Sequence, residues 1–126
     1  MMPPAMRLFA LRGATSVEHD EGPAILKATE ELLKEILDRN ALTPDDVVSC
    51  IFTSTSDLTA EYPAVAARAI GFNAVPLLCA QELAVPGSLP RVVRLLMHFY
   101  APDDHEVRHV YHGEARRLRL DLAGAQ

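Results

Sequence analysis

The sequence predicts a single α/β domain of the α+β kind, with five short strands in a sheet and helices enough to cover one face. Three observations carry this. The stretch 89–101, "LPRVVRLLMHFYA", alternates: Val93, Leu95, Met97 and Phe99 fall on one wholly apolar side, and Val92, Arg94, Leu96, His98 and Tyr100 on the other. Ile25, Ala28, Leu32 and Ile36, flanked by Leu33 and Leu37, recur at helical spacing. The other apolar runs are short, bounded by turn residues, and in part β-branched.

In chain order, "MMPPA" (1–5) reads as a loose tail and "RLFALRG" as a first strand ended by Gly13. Asp20 is the expected N-cap of the long helix, with Pro23 in its first turn, and the helix runs to about Arg39. "TPDD" is a turn, and the β-branched "VVSCIFTST" a second strand. "SDLTAEYP" is a loop, and "AVAARAI" before Gly71 a short helix carrying Arg68. "AVPLLCAQEL" is a third strand, "PGSLP" a turn and "RVVRLLMHFY" a fourth strand; an amphipathic helix with Arg91, Arg94 and His98 on one side is the alternative for that segment. "APDDHE" turns the chain into a fifth strand, "VRHVYH", followed by the short "EARRL". There is no repeat, low-complexity tract or second domain.

Composition narrows the functions. The chain has 126 residues, 49% of them hydrophobic and 23% charged, which suits one globular domain with a modest core. A net charge of −5 and a pI near 5.4 provide no basic field for nucleic acid. No apolar stretch approaches the roughly 20 residues that span a bilayer, and "MRLFALRG" is too short and Arg-interrupted for a signal peptide. The expected location is the cytoplasm. Cys50 and Cys79 form neither a disulfide framework nor a metal-ligand spacing, so each reads first as a small hydrophobe.

Two helices cannot cover both faces of a five-stranded sheet. The second face, carrying Leu8, Ala10, Leu96 or their neighbours, calls for another subunit, most simply in a cyclic homo-oligomer.

"HEVRH" (105–109) matches the zinc-hydrolase pattern H-E-x-x-H, which requires a helix. One helical turn separates such histidines by about 6 Å of rise, whereas a strand separates them by about 13 Å, too far to share one zinc ion. The surrounding residues alternate and no third ligand follows, so neither a metal nor any cofactor is expected. What remains is a set of polar groups in or at the ends of apolar segments: Arg12, Glu82, Arg94 and Tyr111. Each alone is an ordinary edge or core residue, except Arg94, because a mid-strand arginine needs an anion or an outlet to water. Together they suit a small dianionic ligand, since guanidinium forks bind carboxylates in pairs of hydrogen bonds.

"LRGATSVEHD", "SDLTAEYPAVAAR", "VPLLCAQELAVPGSLPRVVRLL" and "VRHVYHGEARRLRLDL", in that order from Met6 to Leu122, resemble the monofunctional chorismate mutases of the trimeric bacterial type. The resemblance implies a ferredoxin-like α+β chain with a mixed five-stranded sheet, one domain over 6–122 between tails at 1–5 and 123–126, and a pseudo-α/β-barrel homotrimer with sites between subunits. It implies the Claisen rearrangement of chorismate to prephenate, in phenylalanine and tyrosine biosynthesis, without a cofactor.

Carried over by position, Arg94 matches the cation facing the breaking ether oxygen and Glu82 the carboxylate that binds the ring hydroxyl. Arg12 and Tyr111 match groups holding substrate carboxylate. Leu78, Cys79, Ala80 and Gln81 match a strand lining the same cleft, with Cys79 not a nucleophile. Tyr62, Ala64, Arg68, Leu118 and Arg119 match its rim or its C-terminal cover, some from the neighbouring subunit. The chain departs from the family at Tyr62 (Phe is familiar), Val65 (Lys), Leu78 (Thr) and Leu120 (Pro). The reading from another class is a trimeric small-molecule binding or regulatory protein that keeps the cleft without catalysis.

Overall fold

The computed structural model describes residues 5–118. Strand β1, Met6–Ser16, leads through a short turn to helix α1, Gly22–Arg39. β2, Val47–Ser54, α2, Ala64–Ala69, and β3, Leu77–Gln81, follow. β4, Val92–Pro102, and β5, Val110–His112, complete one sheet in the order β3-β2-β4-β1-β5. β4 is antiparallel to both β1 and β2, while β1–β5 and β2–β3 are parallel. The mixed five-stranded sheet is therefore as expected, and the segment 92–102 is a strand rather than a helix.

The core lies between one sheet face and the helices. Leu11, Phe52, Val93, Leu95, Met97 and Phe99 from the strands meet Ile25, Leu32, Leu33 and Ile36 of α1. Phe52 and Phe99 are fully enclosed, each contributing about 1.5–3 kcal/mol relative to exposure. The other face is open: Leu8 and Tyr100 are about half exposed (47% and 49%) and Leu96 37%, although all three lie on interior strands, β1 and β4. No helix among the described residues is long and apolar enough to cross a membrane.

Several boundaries differ from the sequence expectation. Gly13 does not end β1, which continues to Ser16. A Cβ at Gly13 would lie 2.7 Å from Ile36 Cδ1, so this glycine allows α1 to lie close against the strand. Asp20 does not cap α1, whose N-cap is Glu21 without a side-chain bond. Its carboxylate instead accepts hydrogen bonds from Thr59 N–H (2.9 Å), Thr59 O–H (2.9 Å) and Ala60 N–H (3.0 Å), tying down the loop before α2. Those bonds, the Thr59 N–H foremost, together outweigh desolvation and hold the Asp20 carboxyl below its usual range.

β4 starts at Val92 because Arg91 is left-handed (φ 49°), its N–H bound to the Asp57 carboxylate and its Nε–H to Val17 O. β5 is half the expected length. The Asn40 side chain accepts from Arg108 N–H and donates to Arg108 C=O, both at 2.9 Å, taking the place of a strand partner. The His109 ring Nδ1 accepts the Arg12 N–H that a β5 carbonyl would otherwise take.

Candidate active site

Alternation on β4 turns Arg94 away from the core and onto the open face. Across the sheet it pairs with Thr53 of β2 and Ala14 of β1. Glu82, one residue beyond β3, extends the ladder by donating its N–H to Ser54 O at 2.9 Å, which brings its side chain toward the same face. Arg94 and Glu82 then meet as a fork: Nε to Oε2 at 2.9 Å and Nη2 to Oε1 at 2.6 Å. Thr53 O–H donates to Oε2 at 2.6 Å. Three strands are thus joined through one carboxylate. Glu82 is nearly enclosed while Arg94 stays half exposed to the cleft (side chains 10% and 47%).

Partial burial pushes the Glu82 carboxyl upward, but the Arg94 and Thr53 hydrogen bonds and the Arg94 charge outweigh it and hold it below the usual range. Hydrogen bonding to Glu82 raises Arg94 further, against its own desolvation. Both groups are therefore ionised throughout the neutral range.

On the opposite side, Tyr111 of β5 pairs with Ala14, and its hydroxyl is buried with no hydrogen-bond partner among the described residues. A buried hydroxyl placed in this way is ready to bond to a group entering the cleft. Arg12 of β1 borders the same space, and its guanidinium makes no ion pair with any described residue. Together with Gln81 and Leu118 these groups line a cleft of about 700 Å³. Apolar walls come from Ile51, Leu83, Val85 and Leu96.

The remaining candidates lie elsewhere on this chain. Tyr62, Cys79 and Ala80 surround a separate depression of about 390 Å³, which Gln81 also borders. Ala64 is buried in α2, Arg68 is exposed near its end, and Leu78 projects outward from β3. Arg119 and Leu120 lie outside the described residues. Two contributors escaped sequence reading. Thr53 carries no charge to mark it, though its parity with Ile51, opposite to the buried Phe52, assigns it to the open face. The turn "PGSLP" and its approach also help line the cleft through Val85 and Ser88.

The H-E-x-x-H segment has no helix: residues 105–109 are irregular, His105 Nε2 faces Asn40 Oδ1 at 3.2 Å, and His109 Nδ1 receives the Arg12 N–H. Among the described residues, no group of three or more His, Cys, Asp or Glu could hold a metal ion. The buried Cys50 thiol is pushed up to about 12 by burial and by neighbouring Cys79, so it stays protonated and inert.

Fold and cleft together define an α+β protein with a fixed, half-exposed guanidinium in a largely apolar cleft. The family described as chorismate mutase type I matches residues 8–122, and the chain belongs to that family of isomerases. It is 51% identical to the chorismate mutase AroH of Thermus thermophilus, over 92% of this chain and 97% of that protein. It is 40% identical to AroH of Bacillus subtilis, over 94% of each. Among solved structures, a chorismate mutase from Clostridium thermocellum superposes with a TM-score of 0.83 at 41% identity, covering 86% of this chain and 98% of the other.

Proposed function

We propose that this cleft converts chorismate to prephenate, with Arg94 stabilising the transition state and Glu82, Arg12 and Tyr111 holding the substrate. The observation that carries the reading is the Arg94–Glu82 fork, which fixes a guanidinium in place yet leaves it half exposed to an otherwise apolar cleft.

In this rearrangement a C–O bond breaks as a C–C bond forms, and negative charge gathers on the ether oxygen. No proton is transferred and no covalent intermediate forms. A cation aimed at that oxygen binds the transition state more strongly than the ground state, which is the kind of binding that accelerates chemistry. By analogy with one oxyanion-hole donor, it contributes about 3 kcal/mol.

Hydrogen-bond capacity supports the assignment. A guanidinium has five N–H donors; Glu82 occupies two, leaving three for substrate. A carboxylate has four acceptor positions; Arg94 and Thr53 fill three, leaving one on Oε1 for a ring hydroxyl. Arg12 and the orphan Tyr111 hydroxyl suit a substrate carboxylate. Fixing the compact conformer in this way lowers the entropic part of the barrier.

We further propose that three copies assemble so that the depression around Tyr62 and Cys79, together with the exposed Arg68 of α2, completes the cleft of a neighbour. Support comes from the open apolar face of the central strands and from the division of the candidates into two separated groups. Light scattering tests this: a mass three times that of the chain is expected, and a monomer at working concentration refutes it. The cytoplasm is the proposed location, in keeping with two free thiols.

The test of activity is loss of chorismate's ultraviolet absorbance, with a chelator in a parallel cuvette. Conversion unaffected by chelation is expected. Binding without conversion would favour the non-catalytic binding protein instead.

A further inference from the structure

Glu35 and His112 have no part in the mechanism above, yet they form a close contact directly behind the cleft. We infer that they are a positioning pair that holds Tyr111 in place from the helix side, an inference that rests on the proposed function.

β5 is an edge strand of three residues, secured through only the register pairs Gly13–Val110, Ala14–Tyr111 and Thr15–His112. So short a strand is weakly held by its ladder alone. Its side chains alternate, so Tyr111 faces the cleft while His112 turns to α1. There the His112 Nε2–H donates to Glu35 Oε2 at 2.6 Å; a carboxylate only accepts, so this nitrogen carries the hydrogen. The other Glu35 oxygen faces Arg39 Nη2 at 3.6 Å.

The pair is partly shielded, with side chains 24% and 34% exposed, so water competes with this hydrogen bond less than with a fully exposed one. Just beyond it, Gly113 is left-handed (φ 58°) and the Glu114 N–H donates to Ser16 Oγ at 2.9 Å. Tyr111 is therefore anchored by a turn on one side and by the helix pair through its neighbour. Without the pair, the ring has more positions available and the cleft must select one on binding.

The experiment is a double-mutant cycle on the full chain with chorismate as substrate. Glu35→Ala should raise KM about three- to fivefold while kcat changes less than about twofold, and Glu35→Gln should recover part of the loss by keeping an acceptor. In a Tyr111→Phe background, Glu35→Ala should add nothing. Additive effects, or a kcat loss with KM unmoved, would overturn the inference. His112→Asn repeats the measurement from the strand side should Glu35→Ala melt early. Inactivity of the unaltered chain would sink the proposed function instead. The pair is then read by NMR: with three tyrosines, the Tyr111 ring signal is the one lost in Tyr111→Phe. Glu35→Ala should broaden or shift it, and an unchanged signal refutes the positioning role.

Discussion

On the β3–β4 side of the cleft, Glu82 accepts three hydrogen bonds and Arg94 is locked in a fork before any ligand arrives. On the β1–β5 side, Tyr111 buries an unpaired hydroxyl and Arg12 has no ion-pair partner among the described residues. One wall is preorganised and the other is waiting. Charge aimed at a transition state gains from rigidity, because no reorganisation is needed when the charge develops. Groups that hold a ground-state carboxylate can leave their hydrogen bonds to be completed by the ligand.

The largest expected effect comes from removing the rigid wall's charge. Arg94→Ala should lower kcat at least about a hundredfold while the fold persists, as read by steady-state kinetics and circular dichroism. Near-normal turnover would mean that the wall serves only to hold the sheet together. Glu82→Gln keeps the shape but removes the charge that fixes the fork. Arg94 is half exposed, so solvent screens part of this loss, and a fall of about tenfold in kcat/KM is expected.

How far this contrast was legible in the sequence depends on which wall is considered. Arg94 declared itself because alternation along β4 leaves a guanidinium among Val93, Leu95, Met97 and Phe99, which only a change of face can reconcile. The helix pattern of α1 was equally plain. The β1–β5 wall was harder to read, because side chains rather than local propensity set its limits. Asn40 takes the place of a strand partner at Arg108, and the His109 ring replaces a carbonyl at Arg12. Neither contact, about 70 to 100 residues apart in sequence, leaves a local signal. Gly13 likewise resembles a strand end until its closeness to Ile36 is visible. Thr53 was missed since a neutral hydroxyl in a β-branched run looks like any other strand residue.

A smaller effect is expected on the waiting wall. Gly113→Ala places a side chain at a left-handed position and against Ser16 Oγ, the acceptor for Glu114 N–H. A loss of about 1–3 kcal/mol in thermal or denaturant unfolding is expected, with KM rising more than kcat falls. If kcat collapsed instead, the two walls would not differ in the way proposed.

The smallest expected effect is none. The chemistry moves no proton, so kcat should stay level across roughly pH 6 to 9. On the acid side the preorganised wall should fail first. The Glu82 carboxyl is held below its ordinary value near 4, so the stability it contributes is fully present above that value and disappears as pH falls through its lower folded value. Arg94 stays charged throughout and cannot produce a limb of its own. An acidic limb in kcat that is shifted or removed in Glu82→Gln is the expected pattern, while the unfolding free energy of that variant still falls on the acid side through Asp20, which is likewise held low. A bell centred near neutrality that survives in Glu82→Gln would require an acid–base group that neither wall contains, and would count against a rearrangement driven by fixed charge.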